Sequence, residues 1–438
     1  MEAMAAGAAT AAYRPSPRKS NSSTLLHHPT NFPRKVFSIR FRSPERNLGS
    51  HNLTKLNLDH PSISPTPQTP IQAVQSAPLP SSTPPPSSHG QVFDVGSANS
   101  WDSNDVGSPV VKRFVGDDEE RWLMWYHGGA ATANGNSIGL AVSSNGIHWE
   151  RGPGRADAGD GVGQVMRRSA DWWAFDTESV RPSDVLIMSS ARLQAPGAVY
   201  WLYYTGFSQE KVENSSMACG EVFKSLPGLA ISQDGRHWAR VEGEHHSGAL
   251  FDTGVAGEWD ALFVAAPKAV FHGRSDLRMY YHSFDPERGQ FAIGIARSRD
   301  GIRWVKLGKV LGGGADGDFD EAGARNGHVV RDVRHGSYLM AYEGVCKNGR
   351  TSIGLAVSAD GLKEWRRCGD WAVLEPSVEE DAWDGRGVGD PCLVQMDREG
   401  EWRLYYRGIG RNGTKGIGVA VSEGPELASF KKWRGFHI

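Results

Sequence analysis

The sequence predicts an all-β fold: a single five-bladed β-propeller with four antiparallel strands per blade, preceded by a disordered N-terminal segment. Three observations lead there. One block recurs five times after about residue 100. Each copy pairs an aromatic strand with a Gly-Ala-rich strand, and the first four close on a turn, Ser-x-Asp-Gly or in the first copy Ser-x-Asn-Gly, followed by a Trp. The spacing, roughly 60–90 residues, is that of a repeat architecture and is too long for a WD40 blade.

The copies read WLMWYHGG with IGLAVSSNGIHW, WLYYTG with PGLAISQDGRHW, RMYYHS with IGIARSRDGIRW, YLMAYEG with IGLAVSADGLKEW, and WRLYYRG with IGVAVSEGPEL. The last has lost its turn. Each block opens on an aromatic-Asp pair: Trp101-Asp102, Phe175-Asp176, Trp259-Asp260, Phe319-Asp320 and Trp383-Asp384. A short inner strand follows, here strand A. The aromatic strand B comes next, with alternating apolar residues set to face a neighbouring blade. In strand C a Gly permits close backbone approach. The turn then reverses the chain into strand D, since Asp bonds local backbone groups and Gly takes positive φ. The Trp after the turn is expected to pack between blades. Radial repetition of such sheets leaves few free edges.

The first ninety residues differ in kind. They are rich in Ser, Pro, Thr and Ala, with Glu2, Glu45 and Asp59 their only acids. Arg14, Arg18, Lys19, Arg34, Lys35, Arg40 and Arg42 supply positive charge. No apolar stretch suits a secretory signal, and the composition is that of an organellar transit peptide. Residues 1–72 are read as that peptide, addressed to the chloroplast, with the mitochondrion as the alternative. Residues 73–90 are a Pro/Ser-rich linker with almost nothing to bury. Residues 91–438 are the propeller.

The formal net charge is −2, which argues against a nucleic-acid surface. No apolar run approaches the ~20 residues that span a bilayer. Cys219, Cys346, Cys368 and Cys392 form no CxxC pair, so neither a zinc site nor a disulfide framework is expected. No metal and no cofactor are expected.

The YYxG strand followed by IGLAxSxDGxxW resembles the five-bladed superfamily of arabinanases, levansucrases and invertases, glycoside hydrolase families 32, 43, 62 and 68, over roughly residues 93–435. The turn is also similar to the sialidase Asp-box, which has one more residue between Asp and Gly. The superfamily resemblance implies a glycan site at the channel mouth, with acids at successive strand A starts. Asp390, in Gly389-Asp390-Pro391, matches that pattern. Asp105 lies three residues before Ser108-Pro109, and Asp184 is displaced. The third blade has Ala266 before Pro267, where an acid is wanted. The invertase strings NDPNG, RDP and EC-P are absent.

Strands A and B are antiparallel, so the starts of A and the ends of B share a face. The A-starts bring Asp105, Ser108, Arg181, Ser183, Asp184, Ala265, Ala266, Arg325, Asn326, His328, Arg386 and Asp390; the B-ends bring His127, Thr205, His282, Glu343 and Arg407. The repeated Asp of each blade opening reads as structural. The unlike B-ends read as places for individual jobs. Glycoside hydrolysis needs one protonated and one ionised carboxyl group. Glu343, in an apolar strand, is the expected proton donor, with an ion pair to Arg325 or Arg407 as the alternative. Asp390 is the expected base or nucleophile, and Asp105 a third catalytic acid. Arg325, Arg386, Asp184, His127, His282 and Arg407 are the expected substrate-binding residues, and Trp125 is expected near the mouth.

The resulting reading is a plastid glycoside hydrolase-like protein that hydrolyses or transfers a furanosidic or related glycosyl unit with two carboxylates. The alternative is an inactive propeller that binds a glycan or serves plastid assembly. A small-molecule or glycan ligand is the expected partner, with no nucleic acid and no membrane span; a protein partner stays open.

Overall fold

The computed structural model describes residues 89–435 apart from 116–119, 132–134, 153–160, 189–198, 214–220, 274, 333, 397–400, 424–426 and 428. The expected transit peptide, and all of the expected linker but its last two residues, lie outside the described residues. Among the described residues there is no helix.

The strands fall into five antiparallel meanders. Strand A runs over Asp105–Val115, Ser179–Met188, Ala265–Gly273, Gly323–Arg331 and Gly387–Gln395 in units 1 to 5. Strand B runs over Glu120–Gly129, Val199–Glu213, Asp276–Asp285, Tyr338–Val345 and Trp402–Ile409. Strand C runs over Ser137–Ser143, Glu221–Ser232, Gln290–Ser298, Thr351–Ser358 and Lys415–Ser422. Strand D is short, at Glu150–Arg151, Ala239–Val241, Val305–Leu311, Arg366–Arg367 and Phe430–Lys432. Each strand A packs on the next, and that of unit 5 packs on that of unit 1, so the inner strands close a ring. The N-terminal strand Gln91–Asp94 pairs with strand C of unit 5, beside the C-terminal Phe430–Lys432. Both described ends of the chain are therefore stitched to one strand.

The repeated aspartates explain why each unit holds its shape. Asp102, Asp176, Asp260, Asp320 and Asp384 are all buried. Each accepts a hydrogen bond from a strand B tyrosine, at 2.9 Å from Tyr126, 3.1 Å from Tyr204, 2.9 Å from Tyr281, 2.9 Å from Tyr342 and 3.2 Å from Tyr406. Each also pairs with a strand D cation: Arg151, Arg240, Lys306, Arg367 or Lys432, at 2.6–2.8 Å. The aromatic residue before each Asp stacks on the same tyrosine. A buried carboxylate with both a hydroxyl and a cation is satisfied, where an unpaired one would be costly. Burial, then the carboxylate, pushes all five phenol pKa values up. The strand C Gly is required by these stacks: a Cβ on Gly294 would come within 2.4 Å of the Trp259 ring.

The turns lock unit to unit. The carbonyl of Gly235 accepts from Trp125 Nε1 at 2.8 Å, and that of Gly301 from Tyr203 at 3.0 Å. Gly361 accepts from Tyr280, and Gly146 from Tyr405 of unit 5 at 2.8 Å. The Trp after each turn packs against the same rings, as expected from the sequence. Trp125 is thus fully buried between units 1 and 2, and does not reach the mouth as expected. Between units 4 and 5 the lock is missing on both sides. Unit 5 lacks the Ser-Asp-Gly turn, and unit 4 has Ala341 where the other units carry the reaching ring. That seam is filled instead by an apolar cluster including Leu339, Leu374, Leu393, Leu404 and Phe430.

Candidate functional site

The pairings bring strand A starts and strand B ends to one face: Arg325 lies opposite Glu343, and Gly389 opposite Arg407. A cavity of about 550 Å³ opens there. Its wall includes Ser108, Arg181, Ser183, Thr205, Ala266, His282, Arg325, Asn326, Glu343, Arg386, Asp390, Arg407 and Lys415.

A bulge in each strand A re-aims its side chains toward this cavity. Ser108, Ala266, Asn326 and Asp390 take φ of 46°, 51°, 53° and 48° at the bulge. A left-handed non-glycine residue costs roughly 1 kcal/mol, so something must hold it. In three units the strand B end of the preceding unit does so. Thr205 Oγ1 accepts the Ala266 N–H at 2.9 Å, His282 Nδ1 the Asn326 N–H at 3.3 Å, and Glu343 Oε2 the Asp390 N–H at 3.1 Å. Arg407 has no acceptor to offer Ser108, whose N–H goes to Asp390 Oδ2 at 3.1 Å instead. Unit 2 has Pro182 at the corresponding place, with no N–H and a fixed negative φ. The unlike B-ends therefore share one job in three units, contrary to the reading that each has its own.

Glu343 is buried, but not in apolar surroundings. Its Oε1 accepts from Arg325 Nε at 2.9 Å and Nη2 at 2.6 Å; its Oε2 accepts from Asn326 Nδ2 at 2.8 Å. With the Asp390 N–H, every one of these partners is a donor. This is the ion pair that the sequence left as the alternative. Asp390 sits beside it, because Asn326 Nδ2 also reaches Asp390 Oδ1 at 2.7 Å. Asp390 Oδ2 lies 3.1 Å from Ser108 Oγ. Burial alone would raise the Asp390 pKa, but Arg407, His127 and Arg181 hold it below the usual carboxylate range.

Asp105 is engaged by Arg407 at 2.7 Å and Lys415 at 3.7 Å, and is absent from the cavity wall. Burial favours its neutral form, yet His127 and these cations keep its pKa below normal. His127 is fully buried behind Ser108, its Nδ1 3.0 Å from Ser108 Oγ. Its Nε2 is 3.6 Å from Asp105 Oδ2, too far for a hydrogen bond. Burial lowers its pKa to about 4, and that of His282 to about 3. Both rings are neutral at pH 7, as His282 must be to accept at Nδ1.

Asp184 is not brought to this site. It pairs with Lys112 at 2.9 Å and lines a separate cleft with His328, at the far ends of the inner strands. His328 is buried and accepts the Leu393 N–H at 3.0 Å. Arg386 is exposed at the rim. Arg181 and Lys415 stand outside the expected binding set but line the cavity. Lys415 begins strand C, which starts on the same face as the end of B, and that continuity was the available signal. Among the described residues no cluster of His, Cys, Asp and Glu is arranged to hold a metal ion.

No family model matches the chain, and no curated protein matches its sequence. Solved structures do match. One is a protein in complex with RGII, at TM-score 0.55 and 17% identity, covering 77% of this chain and 92% of that one. A thermostable family-43 glycoside hydrolase gives TM-score 0.54 at 14% identity, covering 75% and 93%. An N-acetylgalactosamine deacetylase from F. plautii, in complex with blood group B trisaccharide, gives 0.52 at 15%, covering 78% and 95%. At such identities the likeness is one of fold. The chain has the β-propeller fold of the glycoside hydrolases.

Proposed function

We propose that the cavity is a glycan-binding site, in which Asp390 accepts hydrogen bonds from sugar hydroxyls. One observation carries this reading. Among the described residues Asp390 is the only carboxylate with positive φ at a strand A bulge, and the wall supplied by units 2 and 3 offers Ser183, Thr205 and Ser225 hydroxyls beside Phe207, Phe263 and Phe291. Hydroxyls and aromatic faces suit a sugar ring, whose two sides differ in polarity. Units 2 and 3 supply that wall with no acid, and Ala266 stands where one was expected. This favours binding over hydrolysis, which needs carboxyl groups on both sides of the bond.

Hydrolysis is the second reading, and the adjacency of Glu343 and Asp390 favours it. Asp390 then serves as base or nucleophile. Glu343 serves as donor only if substrate draws it from Arg325. The test is an oligosaccharide array with the full chain, together with an assay for released reducing ends. Binding that weakens at least tenfold in Asp390→Asn, with no sugar released, supports the first reading. Release that drops at least ~100-fold in both Asp390→Asn and Glu343→Gln supports the second. Binding unchanged in Asp390→Asn refutes the role given to this cavity.

We also propose import into plastids, on the acid-poor Ser/Pro-rich composition of the first ninety residues. A fluorescent fusion of residues 1–90 should concentrate in plastids. A diffuse cytosolic signal refutes it.

A further inference from the structure

The charges on the cavity wall do not balance. Arg181, Arg325, Arg386, Arg407 and Lys415 face it, against Glu343 and Asp390. Arg325 is matched by Glu343, and Arg407 with Lys415 by Asp105 behind the wall. Arg181 and Arg386 have no carboxylate within ion-pair distance among the described residues. Arg181 is half-buried, and its partners are neutral. With the Asn136 amide turned so that its oxygen faces the guanidinium, that oxygen accepts from Nε at 2.9 Å and Nη2 at 3.0 Å, and the Phe207 ring lies 5.2 Å from the guanidinium carbon. A guanidinium partly removed from water with no carboxylate in direct contact is costly, and an anion arriving from solution relieves that cost. Burial, then the nearby Arg407, holds the Arg181 pKa below its usual value, although Asp105 and Asp390 pull it the other way.

A second observation extends the pattern. Arg386 is shared between this cavity and a shallow cleft beside it, which Arg350 and Arg411 also line. Arg350 is paired with Glu375 at 3.6 Å, so Arg386 and Arg411 carry the positive charge outward from the cavity, over the rim, on the unit 5 side. The hydroxyl and aromatic wall lies across the cavity in units 2 and 3, with Arg181 of unit 2 at its edge against Phe207.

Resting on the glycan reading of this site, we propose that the ligand is an acidic glycan. An anionic group, a carboxylate or a phosphate ester, is held by Arg181 and Arg386, and its sugar ring lies on the wall of units 2 and 3. Further acidic residues of the same glycan follow the rim toward Arg411. The arginines read the anion, and the hydroxyls and rings read the sugar, so the two can be tested apart.

The test is calorimetric titration of the full chain with galacturonate, trigalacturonate, galactose 6-phosphate, galactose and inorganic phosphate. Both acidic monosaccharides should bind at least tenfold tighter than galactose, with trigalacturonate tighter than galacturonate. Whichever of the carboxylate and phosphate sugars binds better identifies the group. Arg386→Gln, at an exposed position, should weaken the acidic sugars at least fivefold while leaving galactose affinity and melting temperature unchanged. Arg181→Gln should do the same more strongly. Galactose binding as tightly as the acidic sugars overturns this proposal and leaves the glycan reading standing. Inorganic phosphate binding as tightly as galactose 6-phosphate overturns the sugar half of both. Acidic-sugar affinity unmoved by either arginine substitution overturns the assignment, and no binding of any probe overturns both readings.

Discussion

Inside each unit a buried aspartate, a tyrosine and a strand D cation repeat five times with the same geometry. At the channel mouth the equivalent positions carry His127, Thr205, His282, Glu343 and Arg407, five different side chains. The first region shows one chemistry repeated within one molecule. The second shows that one backbone need, an acceptor for a strained N–H, can be met by a hydroxyl, an imidazole or a carboxylate. Where the need is absent or cannot be met, His127 turns to Ser108 and Arg407 to Asp105.

The comparison is broken most forcefully at an aspartate of the repeated set. Asp320→Ala leaves Tyr342 unbonded and Arg367 without its carboxylate, and should destabilise by about 3–5 kcal/mol in urea unfolding. A similar loss is expected at Asp102 or Asp384. A loss below about 1 kcal/mol would mean these clusters do not hold the units.

Acid should act through buried histidines: His127 and His282 at the mouth, and His272 and His328 away from it, all held below the usual imidazole range by burial. His127 and His282 have folded pKa values of about 4 and about 3, below an unfolded value near 6.5. Between about pH 6.5 and 4 the unfolded chain takes up protons that the native one refuses. Stability therefore falls as pH drops through that window, by at most about 1.4 kcal/mol per pH unit for each ring. Urea midpoints at pH 7, 5.5 and 4.5 measure it. His282→Gln should flatten the slope, and an unchanged slope would place the acid sensitivity elsewhere.

At Glu343 the two regions can be told apart by the kind of replacement. Glu343→Ala strands the Asp390 N–H and takes the carboxylate away from Arg325, and should cost about 1–3 kcal/mol. Glu343→Gln keeps an acceptor and should cost clearly less. Equal losses would mean that the charge, and not the acceptor, is what the fold uses. The smallest effect is expected at Thr205→Val, which removes one acceptor from Ala266 for about 1 kcal/mol. No loss there would show that the Ala266 N–H is satisfied by water.

Much of the fold was legible because it repeats. The Ser-Asp-Gly turns, the strand C glycines and the inter-blade Trp residues could be read from five aligned copies. The blade-opening aspartates could be recognised as structural, but not their partners, since Tyr126 and Arg151 are fixed only when strands B and D come together. The site was less legible. Glu343 looked apolar along its own strand, while its four donors come from neighbouring strands and from the next unit. Asp184 looked like a mouth residue until the bulge around Pro182 placed it with Lys112.

The seam between units 4 and 5 lacks the ring-to-turn lock, yet it is crossed by the hydrogen bonds from Asn326 to Asp390 and from the Asp390 N–H to Glu343. The residues that line the cavity are thus also the clasp of the ring. A molecule that bridges Arg325 or Glu343 on one side to Asp390 or Arg386 on the other tightens that clasp, and its binding energy appears as resistance to opening at this one joint. Hydrogen exchange should register ligand first along strands Tyr338–Val345 and Gly387–Gln395, and only weakly across the ring.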